Sequence, residues 1–260
     1  MLKIGVLGSC GKMGLEIIRT VSKEEGLTLV EAFDSNCQGQ DIGMLAGLGE
    51  IGVTVKGTDQ ILDSQIVIDF TNAESFRKNI ANILEKGISV ISGTTGLSEQ
   101  EIQDFGKIAQ RNNVTLFIAP NFAIGAVLMM KFAAEAAKYI EDVEVIEYHH
   151  DQKLDAPSGT AKKTLEDMAK VRKEKMQGNP DEFETIPASR GGEYQGMRVH
   201  SVRVPGFVAS QAVVFGTLGQ TLTIRHDSIS RESFMPGIMM ACKKIGNADK
   251  GLVYGLEKIM

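Results

Sequence analysis

The sequence predicts an α/β protein of two domains, the first built on a parallel sheet and the second an α+β domain with a mainly antiparallel sheet. Between residues 2 and 121, short β-branched runs alternate with amphipathic segments, a pattern typical of a parallel sheet with helices on both faces. From Met197 to His226, three strand-like runs are separated by glycine-containing breaks, and such short connections favour antiparallel pairing. We therefore expect a first domain of residues 1–121 and 231–260 and a second domain of residues 122–230.

The elements of the first domain follow in chain order. Ser98 and Glu101 have the spacing of a capping box, which marks the start of the third helix. The predicted helices begin at Lys12 and lie near 75–86 and 99–112, and the predicted strands are KIGVL, LTLVEAF, IVIDF, ISVIS and VTLFIA.

The second domain begins with a long apolar helix at about 123–140, followed by the strand DVEVIEY. A polar loop leads to a helix at about 159–174, and the stretch 175–196, with Gly, Asn and Pro, is predicted to be a loop. The three strand-like runs MRVHSVRV, ASQAVVFG and QTLTIRH come next. The last helix, RESFMPGIMMACKKI, and the tail are expected to return to the first domain.

Composition excludes several classes of protein. With 260 residues and 43% hydrophobic content, the chain can form a full core. The net charge of -5 argues against a general nucleic-acid binder, which would show a basic surface. The start of the chain lacks the features of a signal peptide, and the uncharged run Val114–Met130 contains Pro120 and is too short to span a membrane. We expect no membrane segment.

The three cysteines lie far apart, at Cys10, Cys37 and Cys242, without a CxxC pair. Neither a disulfide framework nor a structural zinc site is indicated, and a reducing cytoplasm fits this usage best.

A glycine-rich loop, VLGSCGKMG, lies between the first strand and the first helix. Gly8, Gly11 and Gly14 lack Cβ atoms, so backbone N–H groups at the helix start can approach a pyrophosphate. The spacing departs from G-x-G-x-x-G, because Ser9 takes the first glycine position, and a plain strand-to-helix turn remains the alternative. Asp34 ends the second strand twenty residues beyond Gly14, where a carboxylate can bind a ribose. Together they predict a Rossmann-like dinucleotide-binding domain.

The segment after Asp34 bears on cofactor choice. DSNCQGQ contains no Arg or Lys, and a carboxylate there would repel a 2′-phosphate. We therefore predict that NADH is preferred over NADPH, although Lys12 or a more distant residue could reach the phosphate.

Three further polar loops follow strands of the same sheet: DFT at 69–71, GTTG at 93–96 and APNF at 119–122. Ligands bind beyond the carboxyl ends of the strands in an open parallel sheet, so these loops are expected to line one crevice around the reactive ring of the cofactor.

The stretch EYHHDQKLDAPSGTA, residues 147–161, concentrates titratable groups and hydroxyls. Its loop closes at Pro157, and Ser158, Gly159 and Thr160 open a helix whose free N–H groups could hold a carboxylate. A plain N-cap at Ser158 is the alternative.

His149 and His150 are adjacent, so their side chains diverge in an extended chain, and they lack the i, i+4 spacing of a zinc-binding pair. We expect no metal. A histidine can exchange protons near neutral pH, and Lys153 can donate one if its pKa is lowered. For His200 and His226 we expect ordinary surface positions.

These motifs together carry a resemblance. VEVIEYHHDQKLDAPSGTA, with GSCGKMG, DFT, GTTG, APNFAIG and RGGEYQGMRVHSVRVPG, closely resembles the dihydrodipicolinate reductase family, now called 4-hydroxy-tetrahydrodipicolinate reductase. The resemblance spans nearly the whole chain. It implies reduction of a cyclic, unsaturated dicarboxylate with NADH or NADPH in the diaminopimelate route to lysine, by a homotetramer.

The resemblance also implies site residues. His149 would be the catalytic acid/base and Lys153 the proton donor. The substrate would contact His150, Ser158, Gly159, Thr160 and Arg231. The dinucleotide would contact Gly8, Ser9, Cys10, Gly11, Lys12, Met13, Asp34, Gly93, Thr94, Thr95, Ala119, Pro120, Asn121 and Phe122.

Two departures from the family pattern stand out. ASQAVVFG lacks a histidine and an acid that many members carry before the strand that ends in Phe215, which puts any role of that pair in substrate closure or assembly in doubt. Ser35 follows the ribose acid where some relatives have Arg, which bears on cofactor choice. Two alternatives remain: another nicotinamide-dependent oxidoreductase acting on an amino or hydroxy acid, and a non-catalytic nucleotide sensor, which would have no need of His149 and Lys153.

Overall fold

The structure is a computed structural model that describes residues 1–60 and 63–260. These residues divide into two compact units: Met1–Phe122 with Phe234–Met260, and Ala123–Ser233. Within them, the helices are α1 Lys12–Val21, α2 Ile42–Ala46, α3 Ala73–Glu85, α4 Glu99–Arg111, α5 Ile124–Ala136, α6 Gly159–Ala169 and α7 Met235–Lys244. The strands are β1 Leu2–Leu7, β2 Leu27–Phe33, β3 Val55–Lys56, β4 Ile66–Asp69, β5 Ser89–Ser92, β6 Thr115–Ile118, β7 Asp142–His149, β8 Gly192–Tyr194, β9 Met197–Arg203, β10 Ala209–Thr217, β11 Gln220–Ser228 and β12 Gly251–Tyr254.

The sheet of the first unit is parallel throughout, in the order β12-β6-β5-β4-β1-β2-β3. Every residue of β4 and β6 is buried, as expected for parallel strands covered on both faces. The predicted α/β class and parallel sheet are confirmed. The capping box also forms, because Ser98 N donates to Glu101 Oε2 at 2.7 Å and Glu101 N donates to Ser98 Oγ at 3.3 Å.

The tail completes this sheet. The strand β12 pairs in parallel with β6, from Gly251 opposite Thr115 to Tyr254 opposite Ile118. The tail therefore lies in the same compact unit as residues 1–122. The elements β12, β3 and α2 were not predicted, since segments of two to five residues are too short to show a clear hydrophobic periodicity.

The sheet of the second unit has the order β11-β10-β7-β9-β8. The pairs β10/β11, β10/β7 and β8/β9 are antiparallel, and β7/β9 is parallel, so the sheet is mixed although mainly antiparallel. The expectation that consecutive strands are neighbours is wrong for β9 and β10. The strand β7, whose Val143 and Val145 are almost completely buried, lies between them.

The ends of α6 and α5 and the stretch 175–196 also differ from the prediction. The helix α6 ends at Ala169 rather than near 174, because the buried Arg172 guanidinium donates to the carbonyls of Glu141, Lys175 and Gln195. These hydrogen bonds hold Arg172 in a non-helical position after the end of α6. The predicted loop 175–196 contains β8, which pairs with β9. The helix α5 ends at Ala136, short of the expected 140.

The core of the second unit lies between α6 and one face of its sheet. Ala161, Leu165 and Met168 of α6 pack on the alternate residues Val143 and Val145 of β7. The next alternate residues of this strand, which continue the same face, reach the start of α6, where the crowded segment begins. Among residues 1–60 and 63–260, no helix combines the length and the apolar character that a membrane span requires.

Candidate functional site

The glycine loop leaves the start of α1 open to an anion. Gly11 is the N-cap of α1 and contributes no side-chain cap, so the first-turn N–H groups lack a capping side chain. Gly8 has φ +80, and a Cβ atom at Gly14 would lie 2.1 Å from Gly8 O, so both positions require glycine. This loop has the form that a pyrophosphate needs.

Asp34, which follows β2, is hydrogen-bonded to the glycine loop. Its Oδ2 accepts a hydrogen bond from Cys10 N at 3.0 Å, and its Oδ1 accepts from Asn36 N at 2.9 Å. Burial and the neighbouring Cys37 thiol raise the pKa of Cys10 to about 12, so this thiol stays neutral. A carboxylate beside an uncapped helix start fits the ribose and pyrophosphate of a dinucleotide.

Three polar loops follow the adjacent strands β4, β5 and β6, so they share the carboxyl edge of the sheet with the glycine loop after β1. Asp69, which is completely buried, joins two of them. Its carboxylate accepts hydrogen bonds from the hydroxyls of Thr71, Ser92 and Thr94 at 2.6, 2.6 and 2.7 Å. Burial raises the pKa of Asp69, and these bonds only partly oppose that effect.

The predicted cofactor residues differ in exposure. Thr94 is buried, and its hydroxyl is committed to Asp69. Ser9, Ala119 and Phe122 are also buried; Gly8, Cys10, Met13, Asp34, Gly93 and Asn121 are half-buried; Gly11, Lys12, Thr95 and Pro120 are exposed. The role of Asp69 in linking the loops after β4 and β5 was not predicted. The available signal was its position as an acid at the end of the apolar run IVID.

The crowded segment in the second unit is organised by Glu147, which the sequence analysis did not single out. Glu147 and His149 are alternate residues of β7, and they continue the core-facing row of Val143 and Val145. The Glu147 side chain is completely buried, and its Oε2 lies 2.5 Å from Nδ1 of His149. The period-two pattern of the strand, which puts an acid in a core-facing position, was the available signal.

Arg203, at the end of β9, compensates the charge of Glu147. Its Nη1 donates to Glu147 Oε2 at 2.9 Å and its Nη2 donates to Oε1 at 2.6 Å, while Ser158 N donates to Oε1 at 3.2 Å. Burial alone would raise the pKa of Glu147, but the hydrogen bonds from His149 and Arg203 outweigh it and hold the pKa at about 2. Glu147 is therefore an ionised carboxylate inside the protein.

The loop before α6 is joined to the same cluster. Arg203 Nη2 also donates to the backbone oxygen of Asp155 at 2.9 Å, and the Asp155 carboxylate accepts from Lys153 Nζ at 2.6 Å. This hydrogen bond lowers the pKa of Asp155. The structure thus brings Lys153, by way of Asp155 and Arg203, into the network that holds His149.

The start of α6 has the predicted N-cap, since Ser158 Oγ accepts from Ala161 N at 3.2 Å. Gly159, the next residue, is exposed, and apart from its chain neighbours and the backbone of its own helix no atom lies within 4 Å of the position of a Cβ there. Thr160 is half-buried beside it. An anion can therefore approach the helix start at Gly159.

The sequence also singled out His150, Arg231, His200 and His226. His150 is exposed, and Arg231 is exposed at the start of the 3₁₀ helix Arg231–Phe234. His200 and His226 are half-buried rather than fully on the surface: His200 Nε2 lies 2.9 Å from Glu144 Oε2, and burial lowers the pKa of His226. Across residues 1–60 and 63–260, no three His, Cys, Asp or Glu side chains cluster as metal ligands.

Comparisons with known proteins cover the whole chain. A family model described as "Dihydrodipicolinate reductase, N-terminus" matches residues 2–122, and one described as "Dihydrodipicolinate reductase, C-terminus" matches residues 125–260. The 4-hydroxy-tetrahydrodipicolinate reductase of Desulfitobacterium hafniense (strain DSM 10664 / DCB-2) is 49% identical over 264 residues, which cover 100% of this chain and 98% of the relative. The enzyme of that name from Halalkalibacterium halodurans is 46% identical over 266 residues, with 100% of both chains covered.

A solved structure gives the same result. "Dipicolinate bound Dihydrodipicolinate reductase from Paenisporosarcina sp. TG-14" matches with a TM-score of 0.85 and 40% identity, and covers 100% of both chains. The resemblance drawn from the sequence motifs is confirmed by these matches. The chain belongs to the 4-hydroxy-tetrahydrodipicolinate reductase (dihydrodipicolinate reductase) family.

Proposed function

We propose that the chain catalyses the NAD(P)H-dependent reduction of 4-hydroxy-tetrahydrodipicolinate to tetrahydrodipicolinate, in the diaminopimelate route of lysine biosynthesis. One observation carries the proposal: the 147–161 motif folds into a single network that joins His149 and Lys153 beside an open helix start. Relatives that carry the reductase name over their whole length support it, as does the relative described with dipicolinate, a pyridine dicarboxylate, bound.

The substrate is a dianion, and the second unit offers it positive partial charge. We propose that the N–H groups of α6 at Gly159 and Thr160 hold one carboxylate, with Ser158 fixing the helix start through its cap. His150 and Arg231, both exposed, would contact the remaining polar groups of the ring. Binding at these points orients the reacting carbon, which lowers the entropic part of the barrier.

The chemistry needs a hydride and a proton, and the 4-hydroxyl group leaves as water. A nicotinamide dinucleotide, when bound, supplies the hydride. The residues proposed to hold it are the glycine loop, Asp34, and the loops at 93–95 and 119–122. We propose that His149 exchanges the proton at the reacting atoms and that Lys153 supplies it, because both are within one hydrogen-bonded network.

Steady-state oxidation of the reduced cofactor tests this proposal, with the substrate made in situ by the synthase that forms it. We expect turnover that depends on the cyclic substrate. If amino or hydroxy acids support turnover and the cyclic substrate does not, the chain is a different oxidoreductase. If it binds cofactor and turns over none of these compounds, it is a sensor, and the proposal is wrong.

Replacement of the proton-transfer groups is the second test. We expect His149→Ala and Lys153→Ala each to lower kcat by about 10²-fold or more, the usual scale of acid–base catalysis. Lys170→Ala is a matched control, because Lys170 is the exposed C-cap residue of α6 and forms an ion pair with Asp167 at the surface. Near-normal turnover in both site variants would remove the proposed roles.

Cofactor preference follows from Asp34. Its carboxylate accepts a hydrogen bond from Cys10 N, and Lys12, at the start of α1, is an exposed cation of the glycine loop. We expect kcat/KM to be higher with NADH than with NADPH, because a 2′-phosphate would meet the carboxylate. Equal or better kcat/KM with NADPH would contradict this preference. Assembly as a homotetramer and a cytoplasmic location are further proposals that rest on the family resemblance.

A further inference from the structure

We propose that Glu147 is a positioning residue that holds His149 with a proton on Nδ1, so that the exchange of protons with substrate takes place at Nε2. The inference rests on the proposed function for the role of His149 in proton transfer. The hydrogen bond itself is a property of the fold of the second unit.

The direction of this hydrogen bond follows from the charge of its acceptor. An ionised carboxylate can only accept, so the imidazole nitrogen that faces Glu147 Oε2 at 2.5 Å must carry the proton. The opposite tautomer would point a lone pair of His149 at an anion. Since a neutral imidazole has a proton on one nitrogen, Nε2 is left as the proton acceptor.

Arg203 holds the Glu147 carboxylate in place beside His149. Its two Nη atoms engage both carboxylate oxygens of Glu147 at 2.9 and 2.6 Å, and this paired geometry keeps Glu147 ionised and fixed in place. The Ser158 amide takes a further position on Oε1. Together with the contact to His149, these hydrogen bonds engage both oxygens and oppose rotation of the carboxylate away from the imidazole ring.

The His149 side chain is partly exposed, unlike that of Glu147. It is 14% exposed, whereas Glu147 is 0% exposed. Its neighbours in register are Ala209 on β10 and Arg203 on β9, so no other acid of these strands competes with Glu147 for the ring. Because Nδ1 faces the completely buried Glu147, we assign the exposed part of the ring to the edge that carries Nε2.

The first measurement needs no substitution. Proton-detected ¹⁵N NMR of the histidine side chains in the full-length protein distinguishes the two neutral tautomers, and the chain has 4 histidines to assign. His149 is assigned by the signal that is lost in His149→Ala. We expect its neutral form to carry the proton on Nδ1. A neutral form with the proton on Nε2 would overturn the proposal.

The second measurement uses Glu147→Gln. Glutamine has the shape of glutamate, but its amide can donate to Nδ1 as well as accept from it, so the ring is free to change tautomer. We expect the Nδ1-protonated signal to give way to a mixture, and kcat to fall by about 10²-fold with little change in KM. An unchanged tautomer together with an unchanged kcat would overturn the positioning role.

Glu144→Gln is the matched control, since Glu144 lies on the opposite face of the same strand and pairs with Arg190 and His200. We expect it to alter neither the His149 signal nor kcat. If Glu147→Gln does not fold, the NMR experiment on the unsubstituted protein still decides the tautomer. If that protein has the Nδ1 tautomer and no activity on the cyclic substrate, the positioning holds and the proposed function fails.

Discussion

Two completely buried carboxylates, Asp69 in the first unit and Glu147 in the second, are held in opposite ways. Both lie near the carboxyl end of a strand, next to a polar loop. Asp69 accepts hydrogen bonds from hydroxyl groups and one backbone amide, whereas Glu147 is bonded to the guanidinium of Arg203 and the ring of His149. The comparison separates the effect of burial from the effect of a charged partner.

Burial alone raises the pKa of both acids, because a low dielectric disfavours the charged form. At Asp69 the hydroxyl groups do not overcome this effect, and the pKa stays raised. At Glu147 the partners do overcome it, and the pKa is lowered to about 2. The guanidinium of Arg203 carries a positive charge, and an opposite charge within hydrogen-bond distance favours the ionised form of a carboxylate, which accounts for the direction of the difference.

The difference has a functional meaning. A permanently ionised acid such as Glu147 can impose one tautomer on an imidazole at any physiological pH. Asp69 instead ties together Thr71 and Thr94, whose loops are proposed to line the cofactor site, and it needs no cation to do so. One carboxylate is proposed to orient an imidazole ring, and the other holds the hydroxyl side chains of two loops together.

The largest expected effect comes from removing the cation. Arg203→Met would leave Glu147 as an uncompensated buried charge, and breaking such a pair costs about 3–5 kcal/mol of the free energy of unfolding. Urea denaturation at neutral pH measures the loss. Arg198→Met is the control on the same strand, because Arg198 forms a long, 3.9 Å ion pair with Glu182, and pairs of that kind are worth about 1 kcal/mol or less.

The double variant Glu147→Gln/Arg203→Met sharpens this test. It removes both charges together, so it should be more stable than Arg203→Met alone. If Arg203→Met costs no more than Arg198→Met, then Arg203 does not compensate the charge of Glu147, and the contrast with Asp69 fails.

The contrast also shows what a sequence can predict. The parallel sheet, the capping box at Ser98 and the 147–161 motif were all predictable, because each depends on residues close in sequence. Glu147 lay within the quoted motif, but its importance depends on Arg203, which is 56 residues away. Pairings of that range carry no local periodicity, so composition and spacing could not identify the partner.

Long-range contacts also explain the errors in the fold. The end of α6 is decided by Arg172, whose guanidinium bonds to backbone oxygens of residues 31 and 23 positions away in sequence. The order of the second sheet is decided by the burial of β7, which puts it between β9 and β10. Asp69 likewise meets Ser92 and Thr94 only through the pairing of β4 with β5.

The smallest expected effect on the free energy of unfolding is that of Asp69→Asn. The informative quantity is the direction in which this effect changes with pH. Asparagine keeps the size of the side chain and can donate to or accept from the hydroxyls of Thr71, Ser92 and Thr94, so near neutral pH we expect a change of only about 1–2 kcal/mol in the free energy of unfolding. Urea denaturation of both proteins across pH 3.5–7, roughly the range in which carboxylates titrate, measures the difference. The effects of the other titrating groups are common to both proteins and cancel in this difference.

Because the folded pKa of Asp69 is raised above its ordinary value of 3.8, the folded protein binds more protons than the unfolded chain between these two values. The stability of the unsubstituted protein relative to Asp69→Asn should therefore fall as pH rises through that window. Glu147 has the opposite sign, since its lowered pKa gives stability that is present above its ordinary value of 4.5 and lost as pH falls toward about 2. A relative stability that instead rises with pH would mean that Asp69 is held as an ionised group, as Glu147 is, and that hydroxyl donors alone can offset the burial of a carboxylate.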